Sequence, residues 1–136
     1  MIILDTNIVS ETMKLKPNAN VLAWLDGQAE ETLYLTSITL AELLFGVAAL
    51  SDGKRKKRLG AFVGGLINLY AERVLSFDAN AARHYASLAV AARQKGRGFL
   101  TPDGYIAAIA AAHGYLVASR DAAAFESAGL TVINPF

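Results

Sequence analysis

The chain has 136 residues, 54% of them hydrophobic and 18% charged, with a formal net charge of +1. That length fits one domain over residues 1–136, and the composition suits a packed core rather than a disordered chain. So small a net charge gives no bulk electrostatic case for a polyanionic partner. The absence of cysteine excludes disulfides, thiolate nucleophiles, zinc–thiolate sites and iron–sulfur clusters. Imidazole is offered only by His84 and His113, far apart in sequence. A metal ion would therefore be held by oxygen, which favours magnesium or manganese.

In chain order, Met1 to Leu4 is a short apolar run that reads as a buried strand ending at Asp5. No basic leader precedes it, and no segment approaches the roughly twenty apolar residues of a membrane span. The expectation is a cytoplasmic protein without a membrane segment. Pro17 and Asn18 mark a turn before a helix from about Val21 to Ala29. Leu33 to Leu35 is a second strand. Thr36 and Ser37 open a helix from about Ile38 to Leu50, and Ser51-Asp52-Gly53 stops it. Lys54 to Arg58 leads into a helical stretch through Tyr70, and Val74-Leu75 forms a third strand. Asp78 caps a helix from about Ala79 to Gln94 that ends near Gly96 and Gly98. Pro102 starts a helix running to His113, with Gly114 as its stop. Tyr115 to Ala118 is a strand, Asp121 to Phe125 a short helix, and Thr131 to Ile133 the last strand. Strands alternating with helices predict an α/β fold with a mostly parallel sheet covered on both faces.

Four carboxylates stand in apolar company. Asp5 ends a buried strand, Glu42 interrupts an apolar helix, Asp103 begins an alanine-rich helix, and Asp121 follows the strand Leu116-Val117-Ala118. Charges so placed are costly without compensation. Open α/β sheets bind ligands beyond the carboxyl ends of their strands, where all four acids are expected to converge. Carboxylates gathered there repel one another and hold protons, and a divalent cation reverses that balance. Each also has a structural reading. Asp121 is a natural N-cap, Asp103 suits a first helical turn, Thr39 and Glu42 fit a capping box, and Asp5 suits an Asx-turn. The functional signal is the ordered set of four.

Taken together, Leu4-Asp5-Thr6-Asn7-Ile8-Val9-Ser10, Ser37 to Leu43 followed by Gly46, Pro102 to Ala108, and Ser119-Arg120-Asp121 with Phe125 resemble the four motifs of PIN domains. Order and spacing agree over nearly the whole chain, and the likeness is to VapC-type toxins of the FitB branch. The resemblance implies a five-stranded parallel sheet with flanking helices and magnesium- or manganese-dependent cleavage of RNA. It also implies a homodimer. It assigns Asp5, Glu42, Asp103 and Asp121 to the metal and catalytic site. Thr6 or Ser119 would supply supporting hydroxyls, and Asn7 would brace the first loop. The resemblance further implies a small antitoxin partner that blocks the site with a peptide segment and assembles with the toxin on operator DNA. Ser119 stands where threonine is more usual and keeps the hydroxyl.

Outside these motifs, Lys54 to Arg58 reads first as a solvated loop or helix start and second as an RNA contact. Lys95 and Arg97 are candidates for a mobile basic lip beside the cleft or for a simple polar turn. Arg120 is a candidate for a phosphate contact, for pairing with a site carboxylate, or for a structural ion pair. Neither histidine is assigned to catalysis. Trp24 and Tyr34 are expected in the core or an interface, and Gly64-Gly65 is expected to allow close packing or a bend. The competing functions are a catalytically weak PIN-fold binding module acting through its antitoxin and operator complex, or another magnesium-dependent α/β protein. Against a receiver domain, no strand-ending aspartate has a later lysine in the expected pattern. Against a dehalogenase-like phosphatase, Asp5 is followed by Thr6-Asn7 and not by a second aspartate.

Overall fold

The computed structural model describes residues 1–96, 98 and 101–136. Arg97, one of the expected basic residues, lies outside the described residues. Five strands form one sheet: β1 (Ile2–Leu4), β2 (Leu33–Thr36), β3 (Val74–Leu75), β4 (Leu116–Ala118) and β5 (Val132–Ile133). Their order is β3-β2-β1-β4-β5, and every pairing is parallel. The helices are α1 (Thr6–Thr12), α2 (Ala19–Asp26), α3 (Ser37–Ala48), α4 (Lys54–Leu69), α5 (Ala79–Gln94), α6 (Thr101–His113) and α7 (Ala122–Glu126), with a short 3-10 turn at Glu30–Thr32.

Side chains alternate across a strand, and β1 uses this to serve two cores. Ile2 and Leu4 join one cluster with Ile8, Val9, Val21, Leu35, Leu43 and Val63, contributed by β2 and α1 to α4. Ile3, on the opposite face, joins Ile106, Ile109, Val117 and Phe125 from α6, β4 and α7, with Ala81 of α5. All three residues of β1 are buried, which explains an apolar run with no polar alternation. Trp24 packs against the first cluster and Tyr34 against the second. Tyr34 also meets Tyr115, with ring centroids 5.1 Å apart. A Cβ at Gly64 or Gly65 would meet nothing within 4 Å, so neither glycine serves close packing within this chain.

Helix α1 departs from the sequence reading, which placed no element there. Apart from Glu11, its residues TNIVSET are middling or poor helix formers. Burial of Ile8 and Val9 overrides that propensity. A second correction concerns α3. Thr36, not Thr39, is its N-cap, and the Thr36 hydroxyl accepts from the Thr39 N–H at 3.1 Å. Thr39 and Glu42 therefore form no capping box. By contrast, Asp78 caps α5 as expected, accepting from the Ala81 N–H at 2.9 Å. Gly114 closes α6 with φ +68°, a backbone conformation that glycine adopts without a Cβ penalty.

The chain moves from β1 outward through β2 to β3, then returns to the other side of β1 for β4 and β5. The reversal falls between β1 and β4, and a crevice opens beyond the carboxyl ends of strands at such a switch point. No described helix is long and apolar enough to cross a membrane.

Candidate metal centre

Asp5 follows β1 at the switch point, and Ser119 follows β4 beside it. The register sets Leu4 against Ala118, and the Asp5 N–H donates to the Ala118 carbonyl at 3.0 Å. Asp5 is 3% exposed and Ser119 fully buried. The Asp5 carboxylate accepts from the Thr6 N–H at 2.7 Å, from Ser119 Oγ at 2.6 Å and from Asn7 Nδ2 at 3.2 Å. Burial pushes this carboxyl above its usual range, these hydrogen bonds from Ser119 and Thr6 oppose the rise, and the charges of Glu42 and Asp121 add to it.

Asn7 braces the whole edge. Its amide lies 3.2 Å from Ser119 Oγ and 3.4 Å from Asp121 Oδ2, besides its bond to Asp5. Its carbonyl oxygen accepts from the Arg120 N–H at 3.2 Å. Ser119 Oγ in turn accepts from the Asp121 N–H at 3.0 Å. Asp121 occupies the N-cap position of α7, as the structural reading had it, but its side chain makes no capping bond to that helix.

Glu42 reaches the same edge from α3. Its Oε1 accepts from the Thr6 hydroxyl at 2.7 Å, and that hydroxyl lies 3.1 Å from Thr39 Oγ. Asp103, in the first turn of α6, completes the set. Its carboxyl is pushed up to about 6, first by burial and then by the charges of Asp5, Asp121 and Glu42. Every one of these influences acts in the same direction. Four acids from four separate segments thus share one electrostatic neighbourhood.

The donor set consists of hard carboxylate oxygens, matching magnesium or manganese. Burial is the larger cause of the raised Asp103 carboxyl, and the neighbouring acids add the part that a cation would relieve. As they stand, no three acidic or histidine side chains among the described residues are drawn into one coordination sphere. Asp5 instead directs its oxygens to Ser119, Asn7 and the Thr6 N–H.

Beside Thr6 and Glu42 opens a groove of about 770 Å³. Leu43, Val47 and Leu59 give it an apolar wall, and Lys14, Lys54, Arg55 and Arg58 give it cations. The basic run at the start of α4 therefore adjoins the acidic edge, a placement its composition did not reveal. Lys95 points elsewhere, with Nζ 3.3 Å from the Ser127 carbonyl. The Arg120 guanidinium pairs with Glu11 at 3.2 Å and lies 4.0 Å over the Phe136 ring. Of its three candidate roles, the structural ion pair is the one observed. His84 Nδ1 sits 3.0 Å from the Asn80 carbonyl, within its own helix. Sequence reasoning passed over Glu11, a 4%-exposed acid of α1. Only its spacing to Lys14 hinted at it.

A family model for the PIN domain matches residues 2–129. The chain belongs to the PIN-domain family. Within it, this PIN domain is of the VapC and FitB type. It is 50% identical to the VapC ribonuclease Y4jK of Sinorhizobium fredii, over 100% of this chain and 98% of that protein. It is 43% identical to the toxin FitB of Neisseria gonorrhoeae, over 100% of this chain and 99% of that protein. Among solved structures, FitAB bound to an IR36 DNA fragment superposes with a TM-score of 0.95 at 43% identity, over 99% of this chain and 95% of that one. The parallel five-stranded sheet expected from the motifs is the sheet observed.

Proposed function

We propose that this PIN domain is a magnesium- or manganese-dependent ribonuclease acting as the toxin of a toxin–antitoxin pair. The observation that carries the reading is the gathering of Asp5, Glu42, Asp103 and Asp121 at one sheet edge, where Asn7 bridges Asp5 and Asp121, Thr6 holds Glu42, and the other three acids act on the Asp103 carboxyl. A protein gains nothing in stability from four acids crowded at a sheet edge. A divalent cation gives the arrangement a purpose.

Asp5, Glu42, Asp103 and Asp121 would hold the cation. When bound, it supplies charge neutralisation at the phosphodiester and an activated water at neutral pH. The chain's own residues prepare the site. Ser119 and Asn7 orient Asp5, Asn7 also steadies Asp121, and Thr6 aims Glu42. The cations of the groove, Lys14, Lys54, Arg55 and Arg58, suit the phosphates of an RNA strand leading into the acidic edge. Lys95 and Arg120, the other RNA contacts expected from the sequence, are engaged by the Ser127 carbonyl and by Glu11 and take no part in this reading.

A small antitoxin is the proposed protein partner. Its apolar and acidic segment would occupy the same groove and so close the route to the acids. The name VapC ribonuclease, carried by a relative at 50% identity, and the DNA-bound FitAB structure support the activity and an assembly on operator DNA. A homodimer is proposed as well. Phe45 and Leu44 of α3, 74% and 50% exposed, are the apolar residues a second copy would cover, and light scattering checks it.

The deciding experiment compares wild type with Asp5→Asn on a mixed RNA pool, first with magnesium or manganese and then with chelator. Cleavage that needs both the cation and Asp5 is the expected result. If neither protein cuts and calorimetry detects no divalent-cation binding, the catalytic reading fails, and a binding module acting through its antitoxin takes its place.

A further inference from the structure

Glu11 is a buried acid that the cluster itself does not use. Its Oε1 accepts from Lys14 Nζ at 2.9 Å and from the Arg120 guanidinium at 3.2 Å, and its Oε2 accepts from the Asn18 N–H at 3.0 Å. The hydrogen bond from Lys14 heads the influences that hold this carboxyl below the usual range, so it is anionic at neutral pH. Arg120 stands between Ser119 and Asp121 in the chain. Its backbone is fastened to the site by Asn7, while its side chain turns away to Glu11 and to the Phe136 ring. Phe136 is itself tethered, its carbonyl accepting from Asn20 Nδ2 at 3.2 Å.

The guanidinium pairs with Glu11, and its place next to Asp121 in the chain would make the acidic cluster its alternative carboxylate partner were that pairing lost. Its planar fork matches carboxylates well, which makes it a direct rival of a divalent cation there. We propose that Glu11 is a positioning residue that holds the Arg120 guanidinium out of the acidic cluster, keeping the cluster open to a divalent cation. The inference rests on the reading of the cluster as a cation site. Glu11 itself touches none of the four acids. It acts through Arg120, and Phe136 provides the second restraint.

The test is Mn²⁺ binding measured by titration calorimetry without RNA, with thermal unfolding recorded alongside. Glu11→Gln keeps an acceptor for the Asn18 N–H but removes the charge that draws Arg120. It should bind Mn²⁺ about fivefold to tenfold more weakly than wild type. The double variant Glu11→Gln with Arg120→Ala should return to within about twofold of wild type, since the rival cation is gone. Phe136→Ala, which loosens the other restraint without touching a buried charge, should bind about twofold to threefold more weakly. Undiminished affinity in Glu11→Gln overturns the inference. So does a double variant as weak as Glu11→Gln, because simple loosening of α1 would not be rescued at Arg120. Should Glu11→Gln fail to fold, Phe136→Ala decides, and wild-type affinity there overturns the inference. A wild-type chain that binds no Mn²⁺ overturns the cation-site reading and this inference with it, whereas binding by wild type and Glu11→Gln alike overturns this inference alone.

Discussion

The Ser119 hydroxyl donates to Asp5 Oδ2 at 2.6 Å across the seam between β1 and β4. Both groups are buried, so neither has water as an alternative partner. A bond from a hydroxyl to a buried carboxylate belongs to the stronger class of hydrogen bonds. Ser119→Ala should therefore destabilise the fold by about 2 kcal/mol, read from urea unfolding. It should also raise the Asp5 carboxyl further, because one of the influences holding it down is lost. Ser119→Thr keeps the hydroxyl and should lie much closer to wild type.

Asp103 gives a prediction of opposite sign. Its carboxyl stands at about 6 in the folded chain, above the ordinary 3.8. A raised acid binds its proton more readily when folded than when unfolded, so stability falls as pH rises from about 4 to 6. At pH 7 without metal the ionised group is a net cost, and Asp103→Asn should stabilise the apo protein. Solvent screening at this half-buried position reduces the effect to about 1 kcal/mol, or about 3 °C in Tm. The same substitution should abolish tight Mn²⁺ binding. In the wild type, Mn²⁺ affinity should climb as pH rises through about 6 and then level off, since the cation needs the ionised carboxylate.

Thr6 joins the first loop to Glu42 through a 2.7 Å bond. Thr6→Val keeps the side-chain shape and removes the donor. Groups that orient a metal ligand typically matter by about 10- to 100-fold in affinity or activity, and that is the loss expected in RNA cleavage. Circular dichroism should show an unchanged fold. A full-activity Thr6→Val protein would mean that Glu42 needs no such support.

The cations of the groove can be tested as a group. Replacing Lys54, Arg55 and Arg58 by glutamine should weaken RNA binding and flatten its salt dependence by about three counterions' worth of slope if each meets a phosphate. The expected signature is a raised KM with kcat nearly unchanged. Loss of kcat alone would place these residues off the RNA path.

Ile3 sits alone among β1 residues in the second core. Ile3→Ala should cost about 2–5 kcal/mol in unfolding free energy, a larger loss than that of Ser119→Ala. An intact site in the folded fraction would show as unaltered Mn²⁺ affinity.

Most elements were legible because their periodicity and boundary residues agreed. Asp78 before α5 and Gly114 after α6 carry their capping chemistry in their own side chains or lack of one. Helix α1 was not legible, because a segment in which only Glu11 is a good helix former announces nothing, and only the sheet that buries Ile8 and Val9 makes it helical. The capping role given to Thr39 and Glu42 failed by one turn register. Thr36 lies three residues before the Thr39 N–H and takes that bond, which frees Glu42 to face Thr6.

By itself, the sequence determined the alternation of strands and helices, the absence of any thiolate ligand, and the identity of four acids out of place in apolar surroundings. Local chemistry suffices for those conclusions, since they depend on neighbours along the chain. Only the tertiary structure decided which groups share a neighbourhood. The strand order placed Asp5 beside Ser119, 114 residues away, and set the basic start of α4 against Thr6 and Glu42. It also turned Arg120 from the acids toward Glu11 and Phe136. Such pairings arise from the packing of both sheet faces, which no window along the chain contains.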